Sequence, residues 1–326
     1  MHKRMGDIAA MLDFMDEHEI KIDRADVDKI KCFLYKNTYF FKLISYRKNF
    51  QETNGKYKHL SFDTLIDMSN IDMRFRYILL HMCLDIEHVT KSALTNELVF
   101  TYKDDGYDFL NRYINDNPNS AALRQKLLKQ VKRTNEKLYN KHKESLPFWV
   151  VMECCEFSVL ESILTFYIKE YPDSALSEMK YEYINKEDQS NEIGNALSFV
   201  RNIRNKVAHN SVLLNEITSY SDNNIVLRRP HLLVNKLLSK TNLSRNSKTS
   251  RLKNATLYDI TVTFAVYDYL VTSESMKNHR YQDLMDLIER TEKNKSLYKN
   301  NEELVATKKY FSSIVNSLTD VKKISL

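Results

Sequence analysis

Between residues 61 and 100 the apolar side chains Leu65, Met68, Phe75, Ile78, Leu79, Met82, Ile86, Val89 and Leu94 recur at intervals of three and four. That is the period that lines one face of an α-helix. Ser61 and Asp72 stand where N-caps would, so the spacing predicts two helices here. The same period runs through ESLPFWVVMECCEFSVLESILTFYIKEYP, bracketed by Pro147 and Pro172, which reads as one buried core helix holding the chain's only tryptophan. In residues 124 to 143, Leu127, Val131 and Leu138 share a stripe with cations around the rest, the pattern of an amphipathic helix with a wet positive face.

Elsewhere the pattern is shorter or broken. Residues 7 to 50 read as a helical lead-in and QETNGKYKH as a loop. DDGY and NDNPNS are turn-like, SYSDNN and RRPH read as a polar loop, and NLSRNSKTSRLKN is the most loop-like stretch. TLYDITVTFAVYDYLV has the β-branched and aromatic composition of a strand, but its helical surroundings favour a helix. The last fifty residues return to helical periodicity, and no repeat of fixed period is present.

Four glycines and four prolines in 326 residues leave few places for tight turns, so the expected fold is all-α. The cysteines Cys32, Cys83, Cys154 and Cys155 form no C-x-x-C pair, which argues against a disulfide framework and for a reducing compartment. Acidic residues interrupt the apolar runs of the amino terminus, and no stretch has the length of a membrane span. A cytoplasmic protein without a membrane anchor is expected. The net charge of +6 is unevenly placed: residues 223 to 258 carry +8 with no acid, residues 124 to 143 carry +7, and the remainder is acidic. This distribution suits a polyanion binder.

The candidate chemistry sits in FVRNIRNKVAHNSVLLN, residues 199 to 215. On a helix, Ile193, Ala196, Val200, Ile203, Val207 and Leu214 share one stripe, and Asn195, Ser198, Asn202, Asn205, Lys206 and His209 the opposite one. Arg204 falls at the edge of the apolar stripe, where a guanidinium is costly unless paired or used. Arg76 and His81 repeat the Arg204 to His209 spacing inside an apolar helix. That second pair reads as a salt-bridged arginine and a core-edge histidine. His81 and His88 lie a heptad apart without H-E-x-x-H or a carboxylate cluster, so no metal or other cofactor is expected. The twenty tyrosines are dispersed and read as packing.

Arg204-Asn205 followed by Ala208-His209 resembles the R-N-x-x-A-H form of the R-x(4-6)-H motif of HEPN ribonucleases. YFFKLISY (39 to 46), DMRFR (72 to 76), Ile86-Glu87, Pro147 to Trp149, Phe157-Ser158 and the downstream Asn215 together resemble the Abi-like abortive-infection family, the AbiD and AbiF group, over roughly residues 20 to 215. The chain departs at Phe75, where that family usually has Leu, and at Ser158, where it often has Gly.

The resemblance implies a HEPN-like helical bundle: a lead-in at 1-60, a core at 61-218 with the catalytic helix at about 190-218, and a basic loop with a helical extension at 219-326. It also implies a metal-independent endoribonuclease acting as an anti-phage toxin, held silent by a structured non-coding RNA. A non-catalytic RNA-binding or phage-sensing module is the alternative.

Arg204, Asn205 and His209 are the expected catalytic set. Histidine exchanges protons near neutral pH, arginine stays charged for phosphate, and Asn205, one turn earlier, is placed to orient the imidazole. Five residues of ideal helix rotate a side chain by about 500°, so Arg204 and His209 diverge. Either the helix loosens near residues 208 to 211 or a second copy supplies another motif, and the resemblance favours a homodimer. Arg201, Lys206, Arg228, Arg229, Lys236 and Arg245 are the expected contacts to RNA.

Overall fold

The computed structural model describes residues 7–22, 27–174, 176, 192–218 and 232–320. The described residues are overwhelmingly helical, as the scarcity of glycine and proline predicts. Helices α1 (Ile8–Glu17), α2 (Val27–Lys36) and α3 (Phe40–Ile44) lead through a 3-10 turn (Ser45–Asn49) to a two-stranded hairpin, β1 (Glu52–Thr53) and β2 (Lys56–Tyr57). The hairpin corrects the loop expected there: Asn54 and Gly55 both take positive φ, 52° and 79°, which suits a two-residue turn between antiparallel strands.

The stretch expected to hold two helices is one. Helix α4 (Phe62–Phe100) runs unbroken for 39 residues, about 58 Å. Ser61 caps it, its hydroxyl accepting from the Thr64 amide at 3.2 Å. Asp72 is no cap: it lies wholly buried inside the helix, where its carboxylate has other partners.

Two further expectations are corrected by breaks. The basic stretch forms α6 (Ser120–Thr134) and α7 (Glu136–His142), because Asn135 leaves helical geometry and accepts from the Leu138 amide at 3.1 Å to cap the second. Helix α5 (Asp108–Asn115) precedes them. The Pro147 to Pro172 stretch forms α8 (Phe148–Cys154) and α9 (Phe157–Glu170), because Cys155 and Glu156 are extended. Gln130, itself buried, accepts from the freed Glu156 amide at 3.4 Å. Trp149 is not core: it is 46% exposed and meets Tyr107 edge-on.

Helix α10 (Glu192–Ala208) carries the motif and packs against α4, α9 and α13 (Ala255–Leu270). The strand-like composition of α13 resolves as a helix buried on every face, so no amphipathic period survives in it. Its threonines tolerate the helix because Thr261 and Thr263 turn their hydroxyls back onto the carbonyls of Leu257 and Asp259 at 2.7 and 2.8 Å. Helix α11 (Leu232–Ser239) also packs on α13.

The stretch that reads as loop contains α12 (Arg245–Leu252), started by the Ser244 cap and anchored by buried Arg251, which pairs with Glu303 at 2.7 Å. Helix α14 (Glu274–Glu292) lies along α4, and α15 (Glu302–Asp320) packs on α14 and α12. The buried apolar residues form one cluster from Met15 to Leu318.

Candidate functional site

Helix α10 has the two faces its pattern predicts. Ala196, Val200, Ile203 and Val207 are buried, while Asn195, Asn202 and Asn205 are exposed. The side chain of Ile193 lies outside the described residues, and Leu214 is buried from the segment beyond the helix. The helix ends just before His209. The His209 amide still bonds to the Asn205 carbonyl at 3.0 Å, and then Asn210 turns left-handed at φ 55°. The Asn210 amide meets the Val207 carbonyl at 3.1 Å and the Ser211 amide meets the Lys206 carbonyl at 3.0 Å, the paired bonds of a Schellman ending. His209 is therefore the residue that leaves the helix, and its imidazole is exposed.

Arg204 is half-buried. Its Nε is enclosed without a hydrogen-bond partner, and its Nη1 reaches Asn205 Oδ1 at 3.4 Å. Among the described residues no carboxylate pairs with it. It lies near Cys83 of α4, whose thiol burial pushes well up and whose rise the nearby guanidinium opposes. The Asn205 side chain thus turns to Arg204, and among the described residues no side-chain hydrogen bond joins it to the imidazole.

Residues outside the motif position it, and sequence reasoning missed most of them. Lys42 on α3 donates to the Asn210 carbonyl at 2.7 Å, and Arg76 donates to the Asn210 side-chain carbonyl. Arg76, 5% exposed, pairs with Asp72 at 2.8 Å. The other Asp72 oxygen accepts from the amides of Leu213 and Leu214 at 2.9 and 2.7 Å. Buried Asn49 takes the next step, donating to the Leu214 carbonyl at 2.7 Å and accepting from the Ile217 amide at 2.8 Å. Partial burial, then Arg76, pulls the Lys42 amine below its ordinary value, while Asp72 opposes them. The signal available in the sequence was the i,i+4 pair Asp72 and Arg76, together with the asparagine following His209.

The cations expected at RNA are placed as follows. Arg201 pairs with Glu161 of α9 at 2.9 Å; burial raises that carboxyl and Arg201 opposes the rise. Lys206 donates to Thr256 at 3.2 Å, and Lys236 lies over the Tyr269 ring at 5.9 Å. Arg245 is exposed in the first turn of α12. Arg228 and Arg229 lie outside the described residues. Arg76 is the salt-bridged arginine expected of the second Arg-His pair, but His81 is exposed, its Nδ1 at 3.3 Å from Arg280. Among the described residues no group of three His, Cys, Asp or Glu side chains could hold a metal ion, and no helix is long and apolar enough to cross a membrane.

A family model described as Abi-like protein matches residues 33–215, from α2 to just beyond the end of α10. No curated protein and no solved structure matches.

Proposed function

The chain belongs to the Abi-like protein family, a membership that suggests an abortive-infection function, and on that premise we propose a metal-independent HEPN-type endoribonuclease that acts as an anti-phage toxin. The observation that carries this reading is the end of α10: an exposed imidazole at the helix terminus, five residues after a half-buried arginine without a carboxylate partner among the described residues. A surface salt bridge would leave the arginine paired, and a packing histidine would be covered.

In the proposed reaction the His209 imidazole takes the proton of a ribose 2′-hydroxyl. The resulting oxygen forms a bond to phosphorus as the bond from phosphorus to the 5′-oxygen breaks. A second, protonated imidazole gives its proton to that leaving oxygen. The products are a 2′,3′-cyclic phosphate and a 5′-hydroxyl, and Arg204 balances the charge of the pentavalent transition state. Base and acid are His209 from two copies of the chain in a homodimer. Arg201, Lys206, Arg228, Arg229, Lys236 and Arg245 are the proposed contacts to the RNA backbone, and a structured RNA bound over the paired motifs would hold the toxin silent.

The test expresses wild type, His209→Ala and Arg204→Ala in bacteria and maps RNA ends after induction. Purified proteins are assayed in parallel, with and without chelator. New 5′-hydroxyl ends insensitive to chelator are expected from wild type, with a loss of about 10²- to 10⁴-fold in rate for His209→Ala. Identical RNA ends and equal growth in all strains would sink the nuclease and leave the alternative, a non-catalytic module that binds RNA or senses phage.

A further inference from the structure

Helices α4, α13, α14 and α15, with the segment that follows α10, enclose a cavity of about 540 Å³. It opens to solvent on one side, and its size falls within the range of small-molecule pockets. Its floor is Met68, Phe75, Phe264, Leu284, Leu287 and Phe311, all buried apolar side chains. Apart from exposed Ser296, the hydroxyls in its lining are spent within the protein. Thr291 donates to the Ile288 carbonyl at 2.6 Å, Thr307 to the Glu303 carbonyl at 2.8 Å, and Tyr298 to the Asp67 carboxylate at 2.7 Å. A nucleotide or sugar would find its polar atoms unmatched there, at a prohibitive desolvation cost.

The mouth is different. Lys295, Lys299 and Lys308 line it, together with half-exposed Val305. Lys295 and Lys308 share the single carboxylate of Glu292, which the Lys308 hydrogen bond first, and then the charge of the lysines, hold below its ordinary range. Lys299 has no partner among the described residues. Three cations against one carboxylate, above an apolar chamber, fit a molecule with an aliphatic body and one terminal anion.

We propose that this cavity binds an aliphatic carboxylic acid of the fatty-acid class, its tail between α4, α14 and α15 and its carboxylate on Lys299 and Lys308. The assignment does not rest on the nuclease reading.

The test titrates the full-length protein with three ligands of one tail and different heads, laurate, 1-dodecanol and dodecyltrimethylammonium, by displacement of a fluorescent fatty acid. Laurate is expected to displace the probe at one site per chain. Dodecanol should bind about tenfold more weakly, the loss of a charge-assisted hydrogen bond, and the cationic amphiphile more weakly still. Val305 is 47% exposed, so Val305→Trp can plug the mouth without overfilling the core. It should cost at least about tenfold in laurate affinity with an unchanged melting temperature. Lys299→Glu should weaken laurate by a similar factor and leave dodecanol unchanged. Absence of saturable laurate displacement, undiminished binding by Val305→Trp, or dodecanol binding as tightly as laurate would each overturn the proposal.

Discussion

Asp72 shows how much one buried carboxylate can organise. One of its oxygens holds the Arg76 guanidinium and the other holds two successive amides, Leu213 and Leu214, so no strong acceptor site is wasted. Arg76 in turn reaches the side chain of Asn210, directly after the exposed imidazole. Breaking a buried ion pair from one side leaves an uncompensated charge and costs about 3 to 5 kcal/mol. Asp72→Ala is expected to lose at least that much in urea unfolding, since it also orphans two amides. Arg76→Met should lose less, because those amides still satisfy the carboxylate. The double variant should fall short of the summed singles, the signature of groups in direct contact; strict additivity would show that the pair is not the unit described.

The Asp72 to Arg76 spacing is visible in the sequence as an i,i+4 pair. The amides that complete it lie some 140 residues away in the chain, and no local pattern points to them.

Among the elements, the proposed function rests most on the end of α10. A left-handed position just past a helix usually belongs to glycine, which adopts it without strain. Here Asn210 occupies it. The reason lies outside the helix: the asparagine side chain accepts from buried Arg76 while its main-chain carbonyl accepts from Lys42. Asn210→Gly should therefore destabilise, against the usual preference. Relief of strain gains at most about 1 kcal/mol, whereas losing the partly buried acceptor of a guanidinium costs about 1 to 3 kcal/mol. A rise in melting temperature would refute this account of the helix end. Elsewhere, the break between α6 and α7 is local, made by the Asn135 cap, while distant partners decide two other helix lengths. Gln130 receives the amide freed between α8 and α9, and inside α4 the satisfied Asp72 lets the helix continue.

At the scale of the whole molecule, the single core buries several phenols. Tyr46, Tyr267, Tyr281 and Tyr310 are all at most 3% exposed. Burial pushes each phenol above its ordinary value of 10.0, helped at Tyr46 by Asp72, at Tyr267 by Asp85 and at Tyr281 by Asp268. Above that ordinary value the unfolded chain releases protons that the folded chain retains, so the difference in bound protons is negative and stability falls as pH rises. Each withheld phenol contributes a slope of about 1.4 kcal/mol per pH unit. Urea midpoints should hold level up to about pH 9 and then drop steeply, less steeply in Tyr310→Phe. A flat profile through the alkaline range would contradict it.

On the proposed function, neutralising Lys236 and Arg245 together should reduce the salt slope of RNA affinity by about one to two in logarithmic units. An unchanged slope would place the RNA path elsewhere.

The sequence by itself determined the helical class, the buried stripe of α10 and the family, because the first two rest on composition and on spacing within one element and the third on short motifs kept in order along the chain. Periodicity records which face of a helix is apolar. Only the tertiary structure decided that α4 is one helix, that Trp149 faces outward, that α12 forms where polar residues suggest a loop, and that α13 is buried all round. It alone brought Lys42, Asn49, Asp72 and Arg76 to the segment behind His209. These outcomes depend on partners distant in the chain, which satisfy a broken backbone or a buried charge, and no local window of residues contains them.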